Sequence, residues 1–349
     1  MPNLYPVIDL FCGVGGLSHG FVLEKFDLIA GVDFDLSCKY AYEKNNNAPF
    51  YHKNLTRTSS KFISSLFPPN APRILVGCAP CQAFSPLSHK YKDNDKWKLL
   101  YSFGRIIKDV RPDVISMENV PRLLDYDNGN VFTDFCEILL SEGYDIYQRV
   151  VNAADYGVPQ RRNRLILLAS RLGKIELINE THKQEDHVTV WDAISHLPSI
   201  EAGEVSNKDE LHRSRGLSDL NLKRILATPE GGGWKNWDKE LILKCHKKET
   251  GKSFRSVYGR MKRNEVAPTL TTQCTGYGNG RYGHPIQNRG ISLREAAILQ
   301  SFPIAYDLIN PTEKFSLRKL ETHIGNAVPV LLGRVIAKSI KKHLKSIGY

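Results

Sequence analysis

Short apolar runs alternate with amphipathic segments over roughly the first 170 residues. Val7 to Phe11, Leu28 to Val32, Ile74 to Gly77, Val114 to Met117 and Leu165 to Ala169 are mostly apolar without alternation. That is the pattern of strands buried on both faces of a parallel sheet. Between them, Leu36 to Glu43, Trp97 to Val110 and Val131 to Leu140 read as helices. Strand and helix in alternation predict a doubly wound α/β fold. From about 171 to 287 the periodicity fades, and Glu230-Gly231-Gly232-Gly233 and Thr275-Gly276-Tyr277-Gly278-Asn279-Gly280 are loop signals. Helical pattern returns after about 288. Ser292 to Gln300 opens with Ser292 and Glu295 at capping-box spacing. Val328 to Leu344 is an amphipathic closing helix with Pro329 near its start.

A chain of 349 residues fits about two domains, or one with a large insertion. No apolar run approaches the ~18–20 residues of a membrane span, and the start of the chain lacks the basic region of a secretory signal. Seven scattered cysteines argue against a disulfide framework and for a reducing, cytoplasmic setting. A net charge of +11 favours a polyanionic partner such as nucleic acid. From Lys235 to Arg263 there are 10 Lys and Arg against 3 acidic residues, which is either a solvated face or a phosphate-binding one. The histidines show no metal-motif spacing, so no metal is expected.

Four segments carry candidate chemistry. Asp9-Leu10-Phe11-Cys12-Gly13-Val14-Gly15-Gly16 follows the first strand and precedes a helix. Glycines there permit a tight turn and close approach to a nucleotide-like ligand at a helix N-terminus. Asp33 closes the second strand, where an acid can hold ribose hydroxyls, and Phe34 could stack on a base. Gly77-Cys78-Ala79-Pro80-Cys81-Gln82 follows another strand. Its Cys-x-x-Cys spacing is open to a redox reading or to a single nucleophilic thiolate at Cys81. Glu118, in Met117-Glu118-Asn119-Val120-Pro121, is a candidate acid at a strand end. Gln160-Arg161-Arg162-Asn163-Arg164 leads into the last of these strands with charge for phosphate or base contacts.

In this order the segments resemble the cytosine carbon-5 DNA methyltransferases. Arg289-Gly290-Ile291-Ser292-Leu293-Arg294-Glu295 through Pro303, and Gly325-Asn326-Ala327-Val328-Pro329, match the last two motifs of that family. The resemblance implies a large S-adenosylmethionine-dependent, Rossmann-like domain from 1–170 and 288–349, with a smaller, irregular target-recognition domain at 171–287. It implies catalytic roles for Cys81, Glu118, Arg162 and Arg164. The cofactor set would be Phe11, Gly13, Gly15, Gly16, Leu17, Asp33, Phe34, Asn54, Leu55, Pro80, Asn326 and Ala327. Asn54 departs from the Asp usual there; it can hydrogen-bond adenine but carries no charge. DNA contacts would fall to Gln82, Ser85, Arg255, Arg260, Thr269, Thr271, Gln273 and Tyr277.

The expected partner is double-stranded DNA, methylated by a monomer with no membrane association. A cognate restriction endonuclease would act separately. The alternatives are a tRNA cytosine methyltransferase, which has a shorter middle region, and a catalytically silent DNA-binding relative.

Overall fold

The computed structural model describes residues 5–80, 97–251 and 253–349. The described chain groups into two compact units. One comprises Met1–Tyr156, Asn163–Thr181 and Val328–Tyr349, the other Gly157–Arg162 and His182–Ala327.

The first unit is built from β1 (Pro6–Leu10), α1 (Gly16–Leu23), β2 (Asp27–Asp33), α2 (Lys39–Asn46), β3 (Phe50–His52), α3 (Ser60–Leu66) and β4 (Ile74–Gly77). It continues through α4 (Lys98–Val110), β5 (Val114–Asn119), α5 (Asn130–Ser141), β6 (Asp145–Asn152) and β7 (Asn163–Ser170). The second unit contains α6 (Val190–Ile194), α7 (Asp219–Leu226), α8 (Leu293–Leu299) and α9 (Leu317–Asn326). The closing helix α10 (Val330–Ser346) returns to the first unit.

Seven strands form one sheet in the order β3-β2-β1-β4-β5-β7-β6. From β3 to β5 every pairing is parallel. Side chains such as Ile8, Leu10, Leu75 and Ile115 are fully buried, as continuous apolar runs require. The parallel expectation fails at the far edge, where β7 runs antiparallel to both β5 and β6. Residues 153–162 are all that separates β6 from β7, too short a link for a crossover helix, so the chain turns back.

Helix α10 packs closely across α1. A Cβ on Gly20 would lie 2.3 Å from the backbone of Gly333 and Arg334, so the crossing depends on a residue without a side chain. Around it, Arg334 Nε bonds Glu24 at 2.6 Å and Lys341 Nζ bonds the Glu24 carbonyl at 2.6 Å.

Residues 288–327, expected with the first unit, group with the second. A buried ion network lies within this stretch and reaches the chain before it. The Arg289 guanidinium, fully buried, donates to both oxygens of Glu295 at 2.8 and 2.7 Å. His284 Nε2 lies 3.6 Å from Glu295, and Arg294 reaches Asp209 at 2.6 Å. These contacts bind α8 to the chain before it. The capping box expected at Ser292 and Glu295 is present. A separate small core joins Ile225, Trp234, Trp237 and Tyr277, with the Arg224 guanidinium 5.4 Å from the ring centres of both Trp237 and Tyr258.

Candidate active site

Parallel strands bring their carboxyl ends to one edge, and the loops that follow share it. In the first unit these are the loop after β1, the end of β2, the segment after β4 and the end of β5. The antiparallel β7 contributes its beginning to the same edge: Ile166 pairs with Glu118 and Leu165 with Asn119. That places Arg164 beside Glu118 although no sequence spacing links them.

The turn after β1 is left-handed at Phe11, Gly13 and Gly15, with φ of 62°, 51° and 88°. Gly13 has open space where a side chain would stand. The Gly13 amide donates to Asp33 Oδ2 at 2.9 Å, and Asp35 N donates to Oδ1 at 2.8 Å. Asp33 therefore braces the turn. Burial raises its carboxyl above the ordinary range against the pull of these amides. Gly16 and Leu17 begin α1, with Leu17 buried. Phe34 projects its ring into solvent, 69% exposed, near His52. Asn54 accepts at Oδ1 from the Thr56 amide at 3.0 Å and hydroxyl at 2.8 Å. Leu55 is buried.

Beneath this turn, Asp9 is 1% exposed and accepts from Ser18 Oγ at 2.5 Å, while Oδ1 has no hydrogen bond among the described residues. Burial pushes its carboxyl up to about 7, with Ser18 opposing and Asp33 adding to the rise. A raised acid favours the folded state only while protonated. Stability should therefore fall as pH rises between the unfolded carboxylate range near 4 and about 7, and level off above that. Asp9→Asn is expected to stabilise the fold at about pH 8 and to change it much less at about pH 5. Denaturant titrations at the two pH values check this.

Beside β4 the register pairs Gly77 with Met117, so Cys78 and Ala79 come alongside Glu118 and Asn119. Cys78 Sγ donates to Glu118 Oε2 at 2.9 Å, and Asn119 Nδ2 donates to the Ala79 carbonyl at 3.1 Å. Glu118 is 2% exposed. Arg164 Nε lies 2.8 Å from Glu118 Oε1. That ion pair lacks hydrogen-bond alignment, so Oε1 is buried without a hydrogen bond among the described residues. Arg164 Nη1 donates to the Asn163 carbonyl at 2.7 Å. Pro80 is half-buried. Cys81, Gln82 and Ser85 lie outside the described residues.

Several expected site residues have other work. Arg162 belongs to the second unit, is 3% exposed, and gives its guanidinium to the carbonyls of Leu270, Gly325 and Ala327 at 3.0, 2.9 and 3.3 Å. It is a backbone brace there, unlike Arg164. Arg260 is 5% exposed and donates to the carbonyls of Ile225, Thr228, His284 and Gln287. It holds loops together and presents nothing to a base edge. Tyr277 is buried, with its hydroxyl on Thr228 at 2.8 Å. The Thr269 hydroxyl donates to the Arg161 carbonyl at 2.7 Å. Arg255, Thr271 and Gln273 are exposed, as are Lys247 and Lys248. Asn326 ends α9 exposed, and Ala327 caps that helix.

Arg260→Ala is expected to cost about 3 kcal/mol of stability, because several buried carbonyls lose their donor at ~1–3 kcal/mol each and relaxation recovers part. Arg255→Ala should stay within about 0.5 kcal/mol of wild type. Chemical denaturation of the two variants separates them.

Sequence reasoning missed two contributors. Asn119 anchors the segment leading to Cys81, and Cys78 reaches Glu118. Both depend on strand register, which no spacing in the sequence announces.

The model of the C-5 cytosine-specific DNA methylases matches residues 5–342. The chain is 50% identical over 341 residues to the Type II methylase M.HgiDII of Herpetosiphon aurantiacus, covering 98% of this chain and 96% of that protein. It is 30% identical to the Type II methyltransferase M.XorII of Xanthomonas oryzae, covering 97% and 85%. Among solved structures, a prophage-encoded chain of E. coli described as a DNA modification methyltransferase superposes with a TM-score of 0.74 at 23% identity, covering 98% and 99%. DNMT2 of Spodoptera frugiperda superposes with a TM-score of 0.66 at 17% identity, covering 97% and 99%. Among the described residues, no helix is long and apolar enough to cross a membrane.

Proposed function

This chain belongs to the C-5 cytosine-specific DNA methylase family, and on that premise we propose that it methylates cytosine within a specific duplex sequence through a transient covalent adduct of Cys81. The observation that carries this reading is the buried Glu118–Arg164 pair, set beside the segment that leads into Cys81.

Carbon 5 of cytosine is a poor nucleophile. Addition of a thiolate at carbon 6 breaks aromaticity and makes carbon 5 enamine-like, splitting one hard step into two. Cys81 supplies that thiolate. As its sulfur bonds to carbon 6, electron density moves toward ring nitrogen 3. Glu118 shares a proton with that nitrogen and so neutralises the charge developing there. Arg164 keeps Nη2 for the carbonyl at carbon 2, where it stabilises developing charge. S-adenosylmethionine supplies, when bound, the methyl group that carbon 5 accepts. The carbon 5 proton then passes to water and the nitrogen 3 proton returns to Glu118, as the carbon–sulfur bond breaks and frees Cys81 as its thiolate. These atoms are out of reach inside a stacked duplex, so the target base leaves the helix at a cost of a few kcal/mol.

The first unit has features suited to S-adenosylmethionine. A left-handed turn leaves open space at Gly13, an acid braces it at Asp33, and an exposed ring stands at Phe34. The amide oxygen of Asn54 is held by Thr56, so its Nδ2 is the group left for an adenine nitrogen. In the second unit, exposed Arg255, Thr271 and Gln273 are the groups suited to base edges. Lys247 and Lys248 are suited to phosphates.

The proposal extends to a modification enzyme paired with a separate restriction endonuclease, a reading the Type II relatives support, and to a monomer working in the cytoplasm. The test is to incubate random-sequence duplex DNA with the protein and S-adenosylmethionine, then map modified cytosines by bisulfite sequencing. One recurrent sequence context supports the reading; unmodified DNA alongside methylated RNA would overturn it.

A further inference from the structure

We propose that Cys78 is a positioning residue for methyl transfer, its thiol orienting the Glu118 carboxyl toward the target base. The proposal rests on the active-site reading above and assigns the nearer cysteine of the Cys-x-x-Cys pair a role that needs no redox chemistry.

Glu118 is held from two sides. Arg164 Nε sits 2.8 Å from Oε1, and the Cys78 thiol donates to Oε2 at 2.9 Å. A lone ion pair fixes one oxygen but lets the carboxyl plane turn about its bond to the side chain. A second contact at the other oxygen fixes the plane. The thiol also decides which oxygen is which. Oε2 accepts from sulfur, whereas Oε1 is buried with no hydrogen bond among the described residues. The thiol therefore holds Oε2 and leaves Oε1 turned to the Arg164 guanidinium.

Local architecture makes this contact dependable. The Gly77–Met117 register sets Cys78 beside Glu118. Asn119 Nδ2 on the Ala79 carbonyl, at 3.1 Å, pins the next residue along. The two strand ends are thus stitched at consecutive positions. The same stitches fix the chain immediately ahead of Pro80.

The experiment measures single-turnover methyl transfer and binding separately. Its substrate is duplex DNA carrying the recognition sequence found by bisulfite mapping. Cys78→Ala removes the donor, and Cys78→Val fills the thiol volume without one. Both are expected to lower the single-turnover rate about tenfold, in line with loss of a hydrogen bond to a charged group. The Kd values for DNA and for S-adenosylmethionine should not move. Cys78→Ser, whose hydroxyl still reaches the carboxylate, should recover most of the rate. In a Glu118→Ala background Cys78→Ala should cost nothing more, because a residue acting through another loses its effect when that residue is gone.

Wild-type rates in Cys78→Ala and Cys78→Val would overturn the proposal, as would failure of Cys78→Ser to recover or full additivity with Glu118→Ala. A 5-fluorocytosine duplex separates this from failure of the underlying reading. If wild type forms no denaturant-stable adduct, the Cys81 mechanism itself is wrong. If wild type forms the adduct while the Cys78 variants behave as above, only the positioning role is in question.

Discussion

Cys81→Ser is expected to abolish methyl transfer while leaving DNA binding intact. A thiol with an ordinary pKa of ~8.5 has a usable thiolate fraction at neutral pH, and a serine hydroxyl offers almost no oxyanion there. Phosphate and base contacts do not involve the sulfur, so the affinity for DNA and its salt dependence should persist. The decisive measurement uses a duplex with 5-fluorocytosine at the target position. Fluorine on carbon 5 leaves no proton to remove, so release of the enzyme is blocked and the carbon–sulfur bond is retained. Wild type should appear as a protein–DNA adduct stable to denaturant. A Cys81→Ser protein that still formed this adduct would show that another residue is the nucleophile. Replacing Cys78 with Ser tests the redox alternative at the same time, since only that alternative needs both sulfurs.

Much of the first unit could be read from its residues because its central strands are buried on both faces. β1, β2, β4 and β5 are continuous apolar runs that begin and end close to where the pattern placed them. β3 has only three residues, too few to show a period. β6 alternates poorly, with Gln148, Arg149 and Val150 all exposed at the sheet edge. The reversed direction of β7 was also hidden, because a strand carries no mark of its sense. That one reversal sets Arg164 against Glu118. In the second unit, charge was the least informative signal. Arg260 and Arg289 occur among residues that look solvated, yet both guanidinium groups are buried and fully engaged with carbonyls and a carboxylate. Sequence counts their charge but not where their stems run. Arg162 and Arg164 make the same point within one motif: one braces backbone carbonyls, the other an acid.

Glu118→Gln is expected to slow methyl transfer by ~10²–10⁴-fold, the usual contribution of a positioned general acid. The amide has the shape of the carboxyl group and can still accept the Cys78 thiol, so the ends of β4 and β5 should stay joined. What it cannot do is give up a proton to ring nitrogen 3 as sulfur adds to carbon 6. The adduct with 5-fluorocytosine should therefore form slowly rather than disappear, in contrast to Cys81→Ser. Arg164 loses its anionic partner in this variant, and its side chain is only 11% exposed, so some loss of stability is expected. Rates are best normalised to active sites by titrating slow adduct formation to completion, with Kd for S-adenosylmethionine measured on the same preparation. A Glu118→Gln enzyme with near-wild-type single-turnover rate would mean that nitrogen 3 takes its proton from elsewhere. The buried pair would then serve to hold two strand ends together, with Arg164 left to stabilise the adduct.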